Sequence, residues 1–289
     1  MTTTAPAKRQ FSPPPILRTN MRPLSLCLDG PARLPEIVIT RITHACVLIQ
    51  CGATAILTDP WFSQKPLYHH GESLPFAVGE LPDLTLVLSS MNHYDHCDLQ
   101  NFACTKNLSV PFVAIKGSDQ VRLARAAGLS DIRELGGGSS VEIGKVTLHA
   151  IAANDFAPDT FRYEQAYVIE IAGRVILFCA HFLKDKALAR VRERFPRVDI
   201  ALLGVNGLRI KPLMRRQMSM DPADAARICA ELAVRVAVPI HYAFTGGWLS
   251  STFLLSHKGT PEQFSEAVRR VAAGTTAVTL CPGQPLCVA

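Results

Sequence analysis

The chain has 289 residues, of which 48% are apolar and 19% charged, and its formal net charge is +6. Those values describe an ordinary globular protein with a sizeable core, in one large domain or two small ones, and exclude a low-hydrophobicity disordered chain. The surplus Lys and Arg are scattered, densest at Arg215-Arg216 and Arg269-Arg270, with no block of like charge and no interleaved aromatics, which argues against a nucleic-acid partner.

Taken in order, Met1 to about Pro23 is rich in Pro, Thr, Ala and Arg and lacks the apolar segment of a secretory signal. Residues 1–35 therefore read as an extended or disordered arm. Glu36–Ile42, Ala45–Gln50 and Thr54–Thr58 are β-rich runs joined by short links, and Asp59-Pro60 ends the third because Pro cannot donate to a ladder. Ser63–Pro82 is a long loop, a common place for an entrance over a rigid sheet. Leu84–Leu88 is a short apolar run that predicts a buried strand. Asp98 then caps an expected helix to Lys106. A strand at Pro111–Ile115, a helix at Ser118–Ala127 stopped by Gly128, and strands at Ile132–Leu135, Val141–Ile143 and Val146–Ala152 follow. Ala166–Ile171 and Arg174–Phe178 read as a hairpin about Gly173. Leu183–Phe195 is an amphipathic helix, Ile200–Val205 an apolar strand, and Asp221-Pro222 opens a helix to about Ala233. Val234–Ile240, a turn at Thr245–Trp248, a helix from Thr260-Pro261 to about Ala273 and a closing strand near Val278–Cys281 complete the chain.

The stretch that carries chemistry is Met91-Asn92-His93-Tyr94-Asp95-His96-Cys97-Asp98, on the loop leaving the strand at Leu84–Leu88. Two histidines and an aspartate within four residues form a compact set of N and O donors, which suits Zn, Fe or Mn better than Ca or Mg. The nine cysteines form no Cys-x-x-Cys pair, and Cys46, Cys51, Cys104, Cys179 and Cys229 fall in or beside apolar or helical runs. That usage fits a reducing, cytoplasmic setting. No run reaches the roughly 18 apolar residues of a membrane span.

Met-Asn-His-Tyr-Asp-His-Cys-Asp resembles the His-x-His-x-Asp-His signature of the metallo-β-lactamase superfamily, in the branch of ascorbate-6-phosphate lactonase and N-acyl-phosphatidylethanolamine phospholipase D. Thr43-His44-Ala45-Cys46-Val47-Leu48-Ile49, Leu57-Thr58-Asp59-Pro60-Trp61-Phe62 and Pro239-Ile240-His241-Tyr242 resemble the family's opening strand, its "DPWF" turn and its last ligand strand. The resemblance runs from about Ile37 to the C-terminus. It implies a single domain over 36–289 with an α/β, four-layer αβ/βα sandwich: two facing mixed β-sheets with helices outside and the metal loops at one edge. The chain also departs from the pattern. The family's first motif histidine falls on Met91, its mid-chain histidine on Asp155, and its bridging aspartate on His181.

One of the family's two metal positions thus becomes Met91, His93 and Asp155, and a thioether is a poor ligand for a hard divalent ion. The other becomes Asp95, His96, His181 and His241, a complete set for one ion, with His93 near it. The expectation is a divalent metal, Zn first with Fe or Mn as alternatives, and one ion rather than two. The function implied is a hydrolase that uses a metal-activated water on a small ester, lactone, amide or phosphodiester. Asp95 is expected to ligate or orient, and Tyr94 and His44 to stabilise developing charge. Trp61, Phe62, Arg209 and Trp248 are the expected substrate contacts, with Arg209, Lys211 or Arg215 for an anionic group. Two other readings stand beside it: a mononuclear Fe or Mn redox enzyme of a biosynthetic pathway, and a degenerate ligand-binding protein. The partner is a small-molecule substrate, and the sequence is compatible with a homo-oligomer.

Overall fold

The strands of the first half of the chain carry apolar side chains on both faces, as a sheet covered on both sides requires. In Ile37–Thr43, Ile37 and Ile39 point one way and Ile42 the other; in Cys46–Cys51, Val47 and Ile49 oppose Cys46 and Leu48; in Thr54–Thr58, Ile56 opposes Ala55 and Leu57. The computed structural model describes residues 23–26, 35–153, 164–212 and 216–289. Within them the first sheet has eight strands in the order Leu24–Leu26, Pro285–Val288, Ile37–Thr43, Cys46–Cys51, Thr54–Thr58, Leu86–Leu88, Phe112–Ile115 and Ile132–Leu135. The second has seven: Thr276–Ala277, Val236–Ile240, Ile200–Gly204, Arg174–Cys179, Gln165–Ile171, Val146–Ala152 and Ser140–Ile143.

Three apolar clusters define the layers. The central one joins inward side chains of both sheets, among them Ile39, Ile49, Leu88, Leu148, Ile169, Phe178 and Val238. A second packs the outer face of the second sheet under the helices Asp185–Arg194, Pro222–Glu231 and Pro261–Val271, through Leu188, Ile228 and Phe264. A third packs the outer face of the first sheet under Gln120–Ala126 and its flanking loops, through Ala124, Leu57 and Phe102. The result is the αβ/βα sandwich that the resemblance implied. No helix among the described residues is long and apolar enough to cross a membrane.

Three local expectations are corrected. The helix expected over Asp98–Lys106 is only a 3-10 stretch, Asn101–Cys104, because the Asp98 carboxylate is engaged elsewhere, by Phe62 N, Ser63 N and Ser63 Oγ. The turn expected at Thr245–Trp248 opens a helix, Gly247–Phe253. The closing strand near Val278–Cys281 is replaced by two pieces. Leu280 gives its carbonyl to the buried Arg41 side chain and residues 281–284 form a turn, so Thr276–Ala277 pairs with Val236–Ile240 and Pro285–Val288 inserts beside Ile37–Thr43. Within the stretch read as an arm, Leu24–Leu26 is laid parallel to Pro285–Val288 as an edge strand.

The topology fixes where chemistry can gather. Thr54–Thr58 and Leu86–Leu88 are parallel neighbours in the first sheet, as are Arg174–Cys179, Ile200–Gly204 and Val236–Ile240 in the second. The residues that follow their C-terminal ends meet at one edge: Asp59, the loop 89–98, His181 and His241. Crevices beyond the carboxyl ends of parallel strands are where α/β sheets place their ligands.

Candidate metal centre

The loop 89–98 is fastened from both sheets. Gln120 Nε2 donates to Ser89 Oγ at 2.8 Å and to the Met91 carbonyl at 2.9 Å, and the Tyr167 hydroxyl donates to the Ser89 carbonyl at 3.1 Å. A tight turn follows, with His96 N donating to the His93 carbonyl at 3.0 Å. Asp98 then ties the loop to the turn after Pro60, accepting from Ser63 N at 2.9 Å and Phe62 N at 3.1 Å. His96 is oriented by Asp59, whose Oδ2 accepts from Nδ1 at 2.6 Å while the same carboxylate accepts from Ser90 N and Ser90 Oγ, each at 2.6 Å. With its proton on Nδ1, His96 aims the Nε2 lone pair inward. A carboxylate behind a histidine is the usual device for fixing the tautomer of a metal ligand.

His241 and His44 arrive from opposite sheets, and His241 N donates to the His44 carbonyl at 2.8 Å. Both have left-handed backbones, with φ of 61° and 43°, and so has Asp59 at 38°. Such conformations cost of order 1–3 kcal/mol each in a residue with a side chain and gather at functional sites. Gly204 makes room for the His181 segment: an added Cβ there would lie 1.8 Å from the Ala180 carbonyl oxygen.

These restraints bring one donor atom each from His44, Asp95, His96 and His241 within 4.8 Å of one another, all four residues being buried. His96 Nε2 lies 3.0 Å from His241 Nε2 and 3.6 Å from Asp95 Oδ2, and His44 Nε2 lies 3.4 Å from Asp95 Oδ2. Donors around a four-coordinate ion at about 2.0–2.1 Å stand roughly 3.3 Å apart, so these spacings fit one cation. Both ring nitrogens of His44, Asp95 Oδ1 and His241 Nδ1 are buried with no hydrogen-bond partner. Buried polar atoms left that way cost about 1–3 kcal/mol each, and a bound ion would relieve those that face it.

The electrostatics match. Burial opposes the Asp95 carboxylate, but His96, His44 and His93 around it hold its pKa below the usual carboxylate range. Burial lowers His44, offset in part by Asp95, and burial together with neighbouring imidazoles holds His181 and His241 well below the ordinary histidine value. Burial would lower His96 too, yet Asp95 and Asp59 keep it above that value. Neutral His44, His181 and His241 beside an ionised Asp95 are in the protonation states a metal needs, whereas an ion bound at His96 would have to displace the proton that Asp95 and Asp59 favour there.

Placement of the residues expected from the sequence is mixed. His96 and His181 have ring centroids 4.6 Å apart, and His181 and His241 4.4 Å, so His181 flanks the cluster without joining its four donors. His93 lines the adjoining cavity. Asp155 and Arg215 lie outside the described residues. His44, expected to stabilise charge, falls among the donor atoms themselves. Tyr94 turns away from the centre: its hydroxyl pairs with Ser63 Oγ and its ring lies under Lys65, with Nζ 3.9 Å from the centroid. Trp61 is fully buried behind His44, edge-on at 5.4 Å, and Phe62 packs into the outer core of the first sheet, so neither lines the cavity. Arg209 is bound to Gln217 Oε1 at 2.7 Å, and its neighbours Leu208 and Ile210 face the cavity instead. Lys211 caps the Ser251 and Thr252 carbonyls, each at 2.7 Å. Trp248 stands on the outer surface, 75% exposed. Three residues had no role assigned from the sequence: Asp59, which appeared there as a strand-ending Asp-Pro within the DPWF turn, Tyr68, which lines the cavity, and Glu164, which lines it too and bridges by backbone to Met91.

A family model described as the beta-lactamase superfamily domain matches residues 54–242. A metal-dependent hydrolase from Aeropyrum pernix is 24% identical over 255 residues, covering 85% of this chain and 95% of its own. The isothiocyanate hydrolase from Delia radicum gut bacteria superposes with a TM-score of 0.69 at 16% identity, over 86% of this chain and 98% of that one. The diiron beta-hydroxylase CmlA from Streptomyces venezuelae superposes with a TM-score of 0.65 at 17% identity, over 89% of this chain and 55% of that one. At such identities the two structures show a shared fold and leave the reaction open.

Proposed function

The chain belongs to the metallo-β-lactamase superfamily, and on that premise we propose that it is a metal-dependent hydrolase of a small ester, lactone or amide, built on a single divalent ion. Asp95, His96 and His241 would form the ligand set, three protein donors that leave a position open for water, with His44 beside them. The observation that carries this reading is the buried quartet of converging donors, several of its polar atoms unpartnered, on the floor of a cavity. A divalent ion held there supplies Lewis acidity and a water acidic enough to react near neutral pH.

The chain's own groups do the rest. Asp59 fixes the His96 tautomer and Asp95 supplies the negative charge of the ligand set. His181 lines the cavity and is held neutral by burial and the imidazoles around it, so a ring nitrogen can orient a bound group. Tyr68 also lines the cavity, and burial together with Asp95 raises its pKa, so its phenol stays a donor for an oxygen that gains charge. Met91 and His181, where the family has a histidine and a bridging aspartate, support one ion over two, since a thioether binds hard ions poorly and a neutral imidazole does not bridge.

The test is hydrolysis of a panel of p-nitrophenyl esters, lactones and anilides by zinc-loaded protein beside His241→Ala. Turnover that requires the loaded wild type supports the proposal. An equal rate in His241→Ala, or none with any member of the panel, overturns it. The alternative of a redox centre is separated by the ion itself: iron retained on anaerobic purification, with oxygen consumption, would favour it over hydrolysis.

A further inference from the structure

The cavity above the cluster has a volume of about 320 Å³, within the range of small-molecule sites, roughly 300–1,000 Å³. Its floor is made by the histidines and Asp95. Its walls are apolar: Met91, Leu208, Ile210, Met218, Phe244 and Leu255 all face it. Among the described residues no Lys or Arg lines it, and the two charged lining residues, Asp95 and Glu164, are acidic. Of the cations expected from the sequence to hold an anion, Arg209 is engaged by Gln217 and Lys211 by two helix-end carbonyls, and Arg215 lies outside the described residues.

We propose that this cavity selects a neutral substrate with an apolar acyl or alkyl group, its uncharged electrophile set down on the histidine floor. Carboxylate and phosphodiester substrates are selected against. The inference rests on the reading of the floor as a hydrolytic metal site. An apolar chain entering here leaves water for contact with thioether and branched aliphatic walls, and each buried methylene strengthens binding by about fourfold. An anion entering here would be desolvated with no cationic side chain among the described lining residues to pair with. Among the described lining residues it would find no counter-charge, and the charge of the ion is already partly offset by Asp95. Met91 takes part directly: where the family has a metal-binding histidine, this chain has a piece of apolar wall.

The experiment reads binding separately from turnover. Acetamide, butyramide, hexanamide and octanamide are titrated calorimetrically into zinc-loaded and metal-free protein, beside hexanoate and hexyl phosphate. Affinity is expected to rise about fourfold per methylene until the cavity is full, and hexanamide to bind at least tenfold tighter than either anion. Ile210→Lys, which puts a cation into the wall from a half-buried position, should reverse that preference. A flat amide series, or anions bound as well as the amide by the wild type, overturns the proposal whether or not Ile210→Lys folds. A steep amide series in protein that hydrolyses no ester would leave the cavity assignment standing and remove the hydrolase reading. Ester hydrolysis with kcat/KM independent of acyl length would do the reverse.

Discussion

Replacing Asp59 by Asn probes how the centre is held. The Asp59 carboxylate accepts from Ser90 N, Ser90 Oγ and His96 Nδ1, each at 2.6 Å. Asn keeps one acceptor oxygen, which the Ser90 amide retains, and turns its NH2 toward His96. An NH2 group only donates, so His96 must bare Nδ1 and carry its proton on Nε2. That atom lies 3.0 Å from His241 Nε2, and the proton then occupies the space of the ion. Loss of such an outer partner typically costs 10–100-fold in metal affinity, about 1.4–2.8 kcal/mol. The metal-free fold loses a further ~1.5–3 kcal/mol of charge-assisted hydrogen bonding, which lowers its Tm by several degrees. Zinc affinity measured by competition with a chromophoric chelator at pH 7.5 reads the first effect, and a melting curve of metal-free protein the second. A zinc Kd within about twofold of wild type, where 10–100-fold is expected, would refute the role given to Asp59.

Tyr94→Phe removes a hydroxyl bonded to Ser63 and remote from the cavity; turnover should stay within about twofold while urea unfolding shows a loss of ~1 kcal/mol, and a large loss of kcat at unchanged stability would contradict that placement. Gly204→Ala drives a Cβ into the Ala180 carbonyl and should cost ~3 kcal/mol or more in urea unfolding, so a neutral result would mean that the His181 segment does not lie as described. Acid should weaken the metal-free protein. His44, His93, His181 and His241 all have folded pKa values below 6.5, chiefly through burial. The unfolded chain therefore takes up protons first, and stability falls as pH drops through about 6.5, by at most ~1.4 kcal/mol per pH unit for each group. His96, raised above 6.5, contributes with the opposite sign and does not outweigh the four. A Tm of metal-free protein that is level or rising from pH 7 to pH 5.5 would contradict these states.

The sandwich was legible because its strands are short apolar runs closed by Gly, Pro and Asn-Gly, and because motif segments stood in the family's order. The departures at Met91 and His181 were legible for the same reason. The partnership of Asp59 with His96 was not: it spans 37 positions and depends on a left-handed turn at Asp59, which periodicity does not report. His44 was read as a supporting residue because its entry into the cluster depends on a left-handed φ in the link after Ile37–Thr43. Asp98 looked like a helix cap, since an Asp before an apolar run serves that purpose, but backbone donors from the neighbouring turn reach it first. Trp248 follows a turn in the sequence but begins a helix whose exposed side it occupies, and Tyr94, though inside the motif, is drawn away from the centre by Ser63 and Lys65. The apolar wall escaped notice because Leu208, Ile210, Met218 and Leu255 come from two-residue strands and loops too short for any periodic pattern.

Metal stoichiometry tests the central claim most directly. Protein purified in metal-buffered medium and analysed by inductively coupled plasma mass spectrometry should carry one divalent ion per chain. His96→Ala and His241→Ala, each lacking a donor from the core of the set, should retain a small fraction of it, and Tyr94→Phe all of it. Full occupancy in both histidine variants, or two ions per chain in the wild type, would contradict a single centre held by Asp95, His96 and His241.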